Sequence, residues 1–462
     1  MGITGVTDVA DVAGVAGVAG ERQLGIPQHL QSFEPTREAA LSRIAALSPA
    51  AYARTRNALD GAVSGLSPYF THGIVSLPEV AAKVAQKHRL GYADKLVFEW
   101  GWREFFHHVW EHVAKPDDIL QNMREMNLWR GKYAAELPAD IREGRTGVPC
   151  IDSAVRQLYS TGYLHNHARM WLASYCVHLR KVHWRAGADW LYAHLLDGDL
   201  PSNHLSWQWV ASSFSSKPYL FNAENVAKYA PQNAFKAWIS PGTVIDASYE
   251  ALDDIARTQG DMGAEPGVHA GVQENEILNP SDSDVLTQLD NPKFVNNRKF
   301  ASEYIASLIL DRSKYVHVQL IHPWSMHAFE APTSLRIGII HTPAHQSLPW
   351  SERRWRFVLT RMQEICDAVW IGDMAQLAAL PNWPGKDRVS AQATLFQGYR
   401  DALPRLVKLT PSPKLFAQPE RACNSFSKFY EQAQKGQRDF SRLLVGMTDS
   451  GLQAQFSTVN PG

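Results

Sequence analysis

The sequence predicts a mainly α protein, with a large helical domain followed by a smaller α/β-like C-terminal region. Three observations carry this. Residues 35–240 repeat apolar side chains near a 3.6-residue period in Leu96–Val113, Asp152–Tyr159, Leu164–Val182 and Trp184–Leu196. Breaks fall at Gly147-Val148-Pro149, Gly162 and Leu200-Pro201, where Gly and Pro end helices. Further on, Tyr315–Leu320, Leu335–His341 and Ala368–Ile371 are short β-rich or apolar runs, and Trp350–Cys366 has helical spacing. Strand, loop, helix, strand is the pattern of a small α/β unit. Between the two regions, 259–293 is rich in Gly, Pro, Ser, Asp and Glu with little periodicity, as in a linker. The expected organisation is a tail at 1–30, a helical domain at 31–245, an acidic linker at 246–293, an α/β-like domain at 294–440 and a tail at 441–462.

The chain has 462 residues, 46 basic against 46 acidic, so net charge names no polyanionic partner. Locally, 141–240 holds ten Lys/Arg against six Asp/Glu, while 246–290 holds eleven acids and only Arg257. A mildly basic body beside an acidic segment is compatible with nucleic-acid binding without showing it. Cys150, Cys176, Cys366 and Cys423 have no metal-ligand spacing and are expected to be reduced and buried, as in a cytoplasmic protein. The first 20 residues form an Ala/Val/Gly repeat with Asp8 and Asp11 and no basic residue, unlike a secretory signal. No apolar run reaches about 18 residues, so no membrane span is expected.

Four segments could carry chemistry. In WRAGADWLYAHLLDGDLPSNHLSWQW (184–209), Asp197 and Asp199 precede Asn203 and the Trp207-Gln208-Trp209 triplet. Two acids in a DGD turn make a helix cap, a solvated turn or a metal site. No further oxygen ligands stand nearby for a metal, and a buried Arg such as Arg169 would make one acid a charge partner. In TGYLHNHARMW (161–171), Asn166, Arg169 and Met170 share a helix face, an arrangement that packing alone would explain. In FEWGWREFF (98–106), Glu99 and Arg103 have the spacing of a surface ion pair, and Glu99 with Trp102 could present an acid and a π-face to a base. In SGLSPYF (64–70), Ser64, Gly65 and Ser67 suit an ordinary N-cap or a phosphate held before a helix.

Taken together, in this order and spacing, these segments resemble the flavin-binding catalytic domain of the DNA photolyase and cryptochrome family over roughly 45–225. The resemblance implies an all-helical photolyase-type domain holding FAD folded back on itself. It implies that Ser64, Leu66 and Ser67 bind the diphosphate, with Tyr52 and Arg56 matching an upstream Tyr-x-x-x-Arg. Asn166, Arg169, Asp197, Asp199 and Asn203 match the flavin-contacting set: Arg169 pairing with Asp197, Asp199 on the pyrimidine edge, Asn203 facing N5. Glu99, Trp102, Asn166, Met170 and Trp209 match the pocket for a flipped-out pyrimidine dimer in DNA. Trp207, Trp184 and Trp129 match a chain of indoles that relays electrons to the flavin.

The implied activity is light-driven repair of cyclobutane pyrimidine dimers by electron transfer from reduced FAD. The alternative is a blue-light photoreceptor of the cryptochrome type, with FAD and a protein partner but no repair. A helical protein that has lost the cofactor is a third reading, opposed by the joint presence of Arg169, Asp197, Asp199 and Asn203. Three departures from the family stand out. The usual N-terminal antenna domain is missing ahead of residue 45, and the α/β-like region follows instead. Val63 and Gly65 stand where many relatives carry Thr and Arg. His167 replaces a basic residue that often supports DNA binding.

Overall fold

A computed structural model describes residues 25–113, 126, 128–231, 235–258, 268–269, 298–311, 314–327, 333–435, 440 and 444. Most of the tails expected at 1–30 and 441–462, and most of the linker expected at 246–293, lie outside the described residues.

The first half is built of helices: α1 (Arg37–Ala46), α2 (Pro49–Thr55), α3 (Ser67–Thr71), α4 (Leu77–Ala85), α5 (Lys95–Val113), α6 (Pro149–Thr161), α7 (Asn166–Ser174), α8 (Trp184–His194), α9 (Leu200–Val210), α10 (Ala223–Tyr229) and α11 (Tyr249–Thr258). Side chains of Thr36, Ser48, Ser76, Asp199 and Asn222 each accept a first-turn backbone N–H, which fixes where these helices begin. Gly162 ends α6 with φ +68°. A β-carbon there would lie 2.7 Å from Leu196 Cγ, so the turn admits only glycine.

Three expectations need correction. The helix read over Leu164–Val182 stops at Ser174 and continues as a π-turn, Tyr175–Leu179. Lys181 then takes φ +50° and donates from Nζ to the carbonyls of Ile255 and Ala256, both at 2.7 Å. Those carbonyls lie in α11, so residues 249–258 are helix where the acidic composition suggested linker. Leu252 and Ala256, four apart, are buried while Glu250 and Asp254 are exposed, so the segment has an apolar face that its acid count does not reveal. Nor is this half wholly helical. Strand β1 (Leu137–Pro138) pairs antiparallel with β2 (Val268–His269), and two-residue strands leave no readable alternation.

The later part begins with α12 (Arg298–Leu310) and holds a five-stranded, all-parallel sheet: β3 (His317–Ile321), β4 (Ser334–His341), β5 (Ala368–Gly372), β6 (Val389–Gln392) and β7 (Lys408–Thr410). The spatial order is β5-β4-β3-β6-β7, a doubly wound arrangement whose direction switches between β3 and β6. Helix α13 (Glu352–Ile365) links β4 to β5, and α14 (Gln397–Leu406) links β6 to β7. Beyond the ends of β3 and β6 the crevice is filled by Trp324, His345, Phe396 and Tyr399. Trp324 stacks on Phe396 at 4.4 Å.

The core does not divide at residue 294. One apolar cluster joins Ile26–Trp110, Tyr163, Tyr192 and Leu196–Leu205 to Ile305–Phe440, while a second gathers Leu137–Leu252 with Leu59. The chain near 430, where sequence signals are weak, is helix α15 (Phe426–Ala433), with Phe426, Phe429, Tyr430 and Ala433 buried against α5. All four cysteines are buried and free. Among the described residues, no helix is long and apolar enough to cross a membrane, and no group of three or more His, Cys, Asp or Glu converges as a metal site.

Burial holds His165, His178 and His322 neutral, their imidazole pKa values pushed down to about 4. An unfolded chain protonates these rings below about 6.5, so the folded state loses stability as pH falls from about 6.5 towards 4 and keeps it above. Urea unfolding at pH 7.5 and 5.0 should show a lower midpoint at 5.0. The loss should be on the order of 1–2 kcal/mol for each such histidine.

Candidate active site

Asp197 and Asp199 lie on the turn between α8 and α9, both nearly buried at 6% and 7% exposure. Asp199 is the N-cap of α9, accepting from Ser202 N at 3.1 Å and Ser202 Oγ at 2.5 Å. It faces α5, with Arg103 at 3.5 Å and His107 Nε2 at 3.0 Å. Burial alone would raise this carboxyl, but Arg103 and His107 overcome it and hold Asp199 far below the usual carboxylate range. Asp197 faces α7, where Arg169 Nη2 donates to its Oδ2 at 2.7 Å. Arg169 is itself fixed by Nε donating to Leu164 O at 2.8 Å and by the Tyr163 ring at 5.3 Å. The other oxygen, Asp197 Oδ1, is buried and has no partner. Such an atom is costly unless something donates to it.

Asn203, one turn into α9, donates from Nδ2 to Ala188 O at 2.8 Å. A backbone carbonyl only accepts, so the amide NH2 must face α8 and Oδ1 is turned away as an acceptor. Arg169–Asp197, the Asp199 cap and Asn203 thus converge around one turn. Ser64, Leu66 and Ser67 form the entry to α3: Ser64 Oγ accepts from Leu66 N at 3.3 Å, and Leu66 precedes the helix. Between them Gly65 has φ +60°, and a β-carbon there would lie 2.6 Å from Arg43 Nη1. The space that a side chain at position 65 would enter is therefore taken by Arg43 from α1.

The expected Glu99–Arg103 pair is not formed. Glu99 pairs instead with Arg56 of the upstream Tyr52–Arg56 motif at 3.0 Å, which leaves Arg103 for Asp199. Glu99 remains a third exposed, and burial raises its carboxyl against the pull of Arg56. Trp102 stacks on Phe426 of α15, with centroids 4.1 Å apart and planes 7° from parallel. Asn166 and Met170 sit one turn apart on α7, Nδ2 to Sδ at 3.4 Å, and Trp209 is 37% exposed beside Tyr219. These five side chains stand on α5, α7 and α9, the helices whose other residues meet at the two carboxylates. Trp207 and Trp184 are buried. Trp207 packs on Gly187 of α8, where a β-carbon would lie 2.3 Å from Cη2, three residues after Trp184. Trp129 lies 5.3 Å from the ammonium of Lys181.

Sequence reasoning missed His107, Thr71, His72 and the Asp189–His204 pair at 2.8 Å. A signal existed for His107: Glu99, Arg103 and His107 form an i, i+4, i+8 polar stripe on an otherwise apolar helix.

The helical fold thus buries two carboxylates and leaves one oxygen, Asp197 Oδ1, as an acceptor for a bound group. Residues 96–248 match the family described as the FAD binding domain of DNA photolyase. Over these residues the chain carries a photolyase-type FAD-binding domain, and FAD is the cofactor that this match supports. It is 39% identical to the deoxyribodipyrimidine photo-lyase of Streptomyces griseus over 153 residues, 33% of this chain and 32% of that one. With the same enzyme of Thermus thermophilus it shares 37% over 199 residues, 40% of this chain and 45% of that one. The chain spans less than half the length of these curated relatives. The crystal structure of a Synechocystis cryptochrome aligns with a TM-score of 0.37 and 22% identity, over 51% of this chain and 53% of that one.

Asp199→Ala removes a helix cap and leaves Arg103 facing no carboxylate. Chemical denaturation should show a loss of about 3–5 kcal/mol, whereas a solvated turn would lose about 1.

Proposed function

We propose that this protein is a light-driven, FAD-dependent lyase that splits cyclobutane pyrimidine dimers in DNA. The observation that carries it is the Arg169–Asp197 pair with its unpartnered buried Oδ1, set among α5, α7 and α9 of a photolyase-type domain. FAD, when bound and reduced, supplies photoexcitable one-electron chemistry.

The chain's own residues orient and exclude. Asp197 Oδ1 would accept an N–H from the cofactor, and Asp199, held ionised, would accept at the pyrimidine edge. Asn203 Oδ1 would offer an acceptor towards N5, and Ser64, Leu66 and Ser67 would bind the diphosphate. Trp102, Met170 and Trp209 wall the pocket that receives two flipped-out bases, and a damaged pair costs less to unstack than an intact one. Glu99, held by Arg56, would present its carboxyl to the polar edge of a base. Trp207, Trp184 and Trp129 carry electrons inward from the surface.

A second reading, a cryptochrome-like photoreceptor, draws support from Phe426. It covers one face of Trp102 and narrows what that ring can offer a base.

The test uses purified protein with its flavin chemically reduced and a cyclobutane-dimer oligonucleotide, in blue light and in the dark. Thymines restored only in light are expected; none restored, with substrate bound, would favour the photoreceptor. Glu99→Ala should lower repair at least tenfold with FAD still bound, measured as turnover per flavin. Trp207→Phe should stop photoreduction of oxidised protein while leaving repair by chemically reduced protein intact.

A further inference from the structure

Each carbonyl of the segment Leu196-Asp197-Gly198 has a polar side-chain group within hydrogen-bond distance. A ring nitrogen of His72 stands 2.9 Å from Leu196 O, and Thr71 Oγ1 donates to Asp197 O at 3.2 Å. The third group comes from the sheet region, over 150 residues later in the chain. Arg354, on α13, donates from Nη2 to Gly198 O at 2.5 Å and from Nη1 to Tyr192 O at 2.6 Å. Its exposure is 0%, and its guanidinium lies 3.8 Å from the Trp350 ring and 4.4 Å from the Tyr192 ring. Among the described residues it makes no salt bridge with a carboxylate, and its Nε has no partner. Burial disfavours its charge, and the carboxylates of Asp197 and Asp199 offset part of that cost.

The middle residue of the turn is shaped to it. A β-carbon on Gly198 would lie 2.4 Å from Arg354 Nη1 and 2.6 Å from Tyr192 O. The glycine between the two carboxylates is therefore where the guanidinium passes. The surroundings leave the arginine no alternative seat: Trp350 is T-shaped to Tyr192 at 6.4 Å and to His72 at 6.1 Å, closing a ring of aromatics around it.

We propose that Arg354 is a positioning residue for the cofactor site. From the sheet region, it fixes the backbone between Asp197 and Asp199, so that region is part of the flavin site. This rests on the assignment of Asp197 and Asp199 as flavin-contacting residues. By gripping Gly198 O, the guanidinium sets the direction in which the two flanking side chains leave the chain. A shift of the turn by even half an ångström would take Asp197 off Arg169 or Asp199 off Arg103, and with them the acceptors a flavin ring would meet.

The experiment uses the full chain, with FAD affinity read by flavin fluorescence and the midpoint potential of bound flavin by redox titration. Arg354→Met should raise the FAD Kd at least tenfold and shift the potential, with Arg354→Lys in between because a lysine reaches one carbonyl at a time. Gly198→Ala, which crowds the guanidinium without altering the sheet region, should also weaken FAD. Asp197→Asn serves as the control. If Asp197→Asn weakens FAD while Arg354→Met and Gly198→Ala both bind like the parent with unchanged potential, Arg354 has only a structural role and the proposal is overturned. If Asp197→Asn itself leaves the Kd unchanged, the assignment of the turn to the flavin fails, and the proposal with it. Should Arg354→Met not fold, Arg354→Lys and Gly198→Ala decide in the same way.

Discussion

The structure turns on the need to keep two carboxylates charged, two residues apart, out of water. Neither Asp197 nor Asp199 can rely on solvent, and an ionised carboxylate buried without partners costs several kcal/mol. Compensation comes from three helices: Arg169 on α7, Arg103 and His107 on α5, and the α9 N-terminus through Ser202. Bringing those groups within reach fixes how α5, α7 and α9 lie against one another. The same three helices carry Glu99, Trp102, Asn166, Met170 and Trp209, so the placement of these side chains follows from the charge compensation.

Helix α5 shows how one element meets two demands. Its polar residues sort into two faces. Glu99, Arg103 and His107 look towards Arg56 and Asp199. Glu104 and His108 look the other way, into the C-terminal segment. Glu104 accepts from Leu415 N at 2.5 Å, Phe416 N at 3.1 Å and Gln418 Nε2 at 2.9 Å, and His108 Nε2 accepts from Cys423 N at 3.0 Å. Trp102 lies between the faces and stacks on Phe426, so the helix that compensates Asp199 also docks α15 and the segment before it. Gly101 allows the close approach, since a β-carbon there would lie 2.7 Å from the Tyr430 ring.

Much of this was legible in the sequence, for identifiable reasons. Long amphipathic helices such as Lys95–Val113 and Trp184–His194 declare themselves by period. The Asp-Gly-Asp turn stands out locally as two acids two apart, whereas the pairing of Arg169 with Asp197, 28 residues away, is what the family resemblance implies. What escaped depends on distance or competition. The π-turn at Tyr175–Leu179 looks helical in sequence and is set by where Lys181 finds acceptors. Helix Tyr249–Thr258 was hidden by its acids. The Glu99–Arg103 spacing suggested a pair, but Arg56 and Asp199 are better partners from elsewhere. Arg354 carries no local signal, because its partners are 156 and 162 residues away.

The anchoring of Glu104 bears on how the protein comes into being. Its partners are separated from it by 311 to 314 residues, and that of His108 by 315. During synthesis at about 5–20 residues per second, α5 is complete many seconds before residues 415–423 emerge. For that interval the helix that compensates Asp199 carries an unanswered carboxylate and an apolar flank bare of α15. The nascent flavin domain therefore waits in a partly assembled form, exposed to chaperones and to premature association, until the last tenth of the chain arrives to cover it.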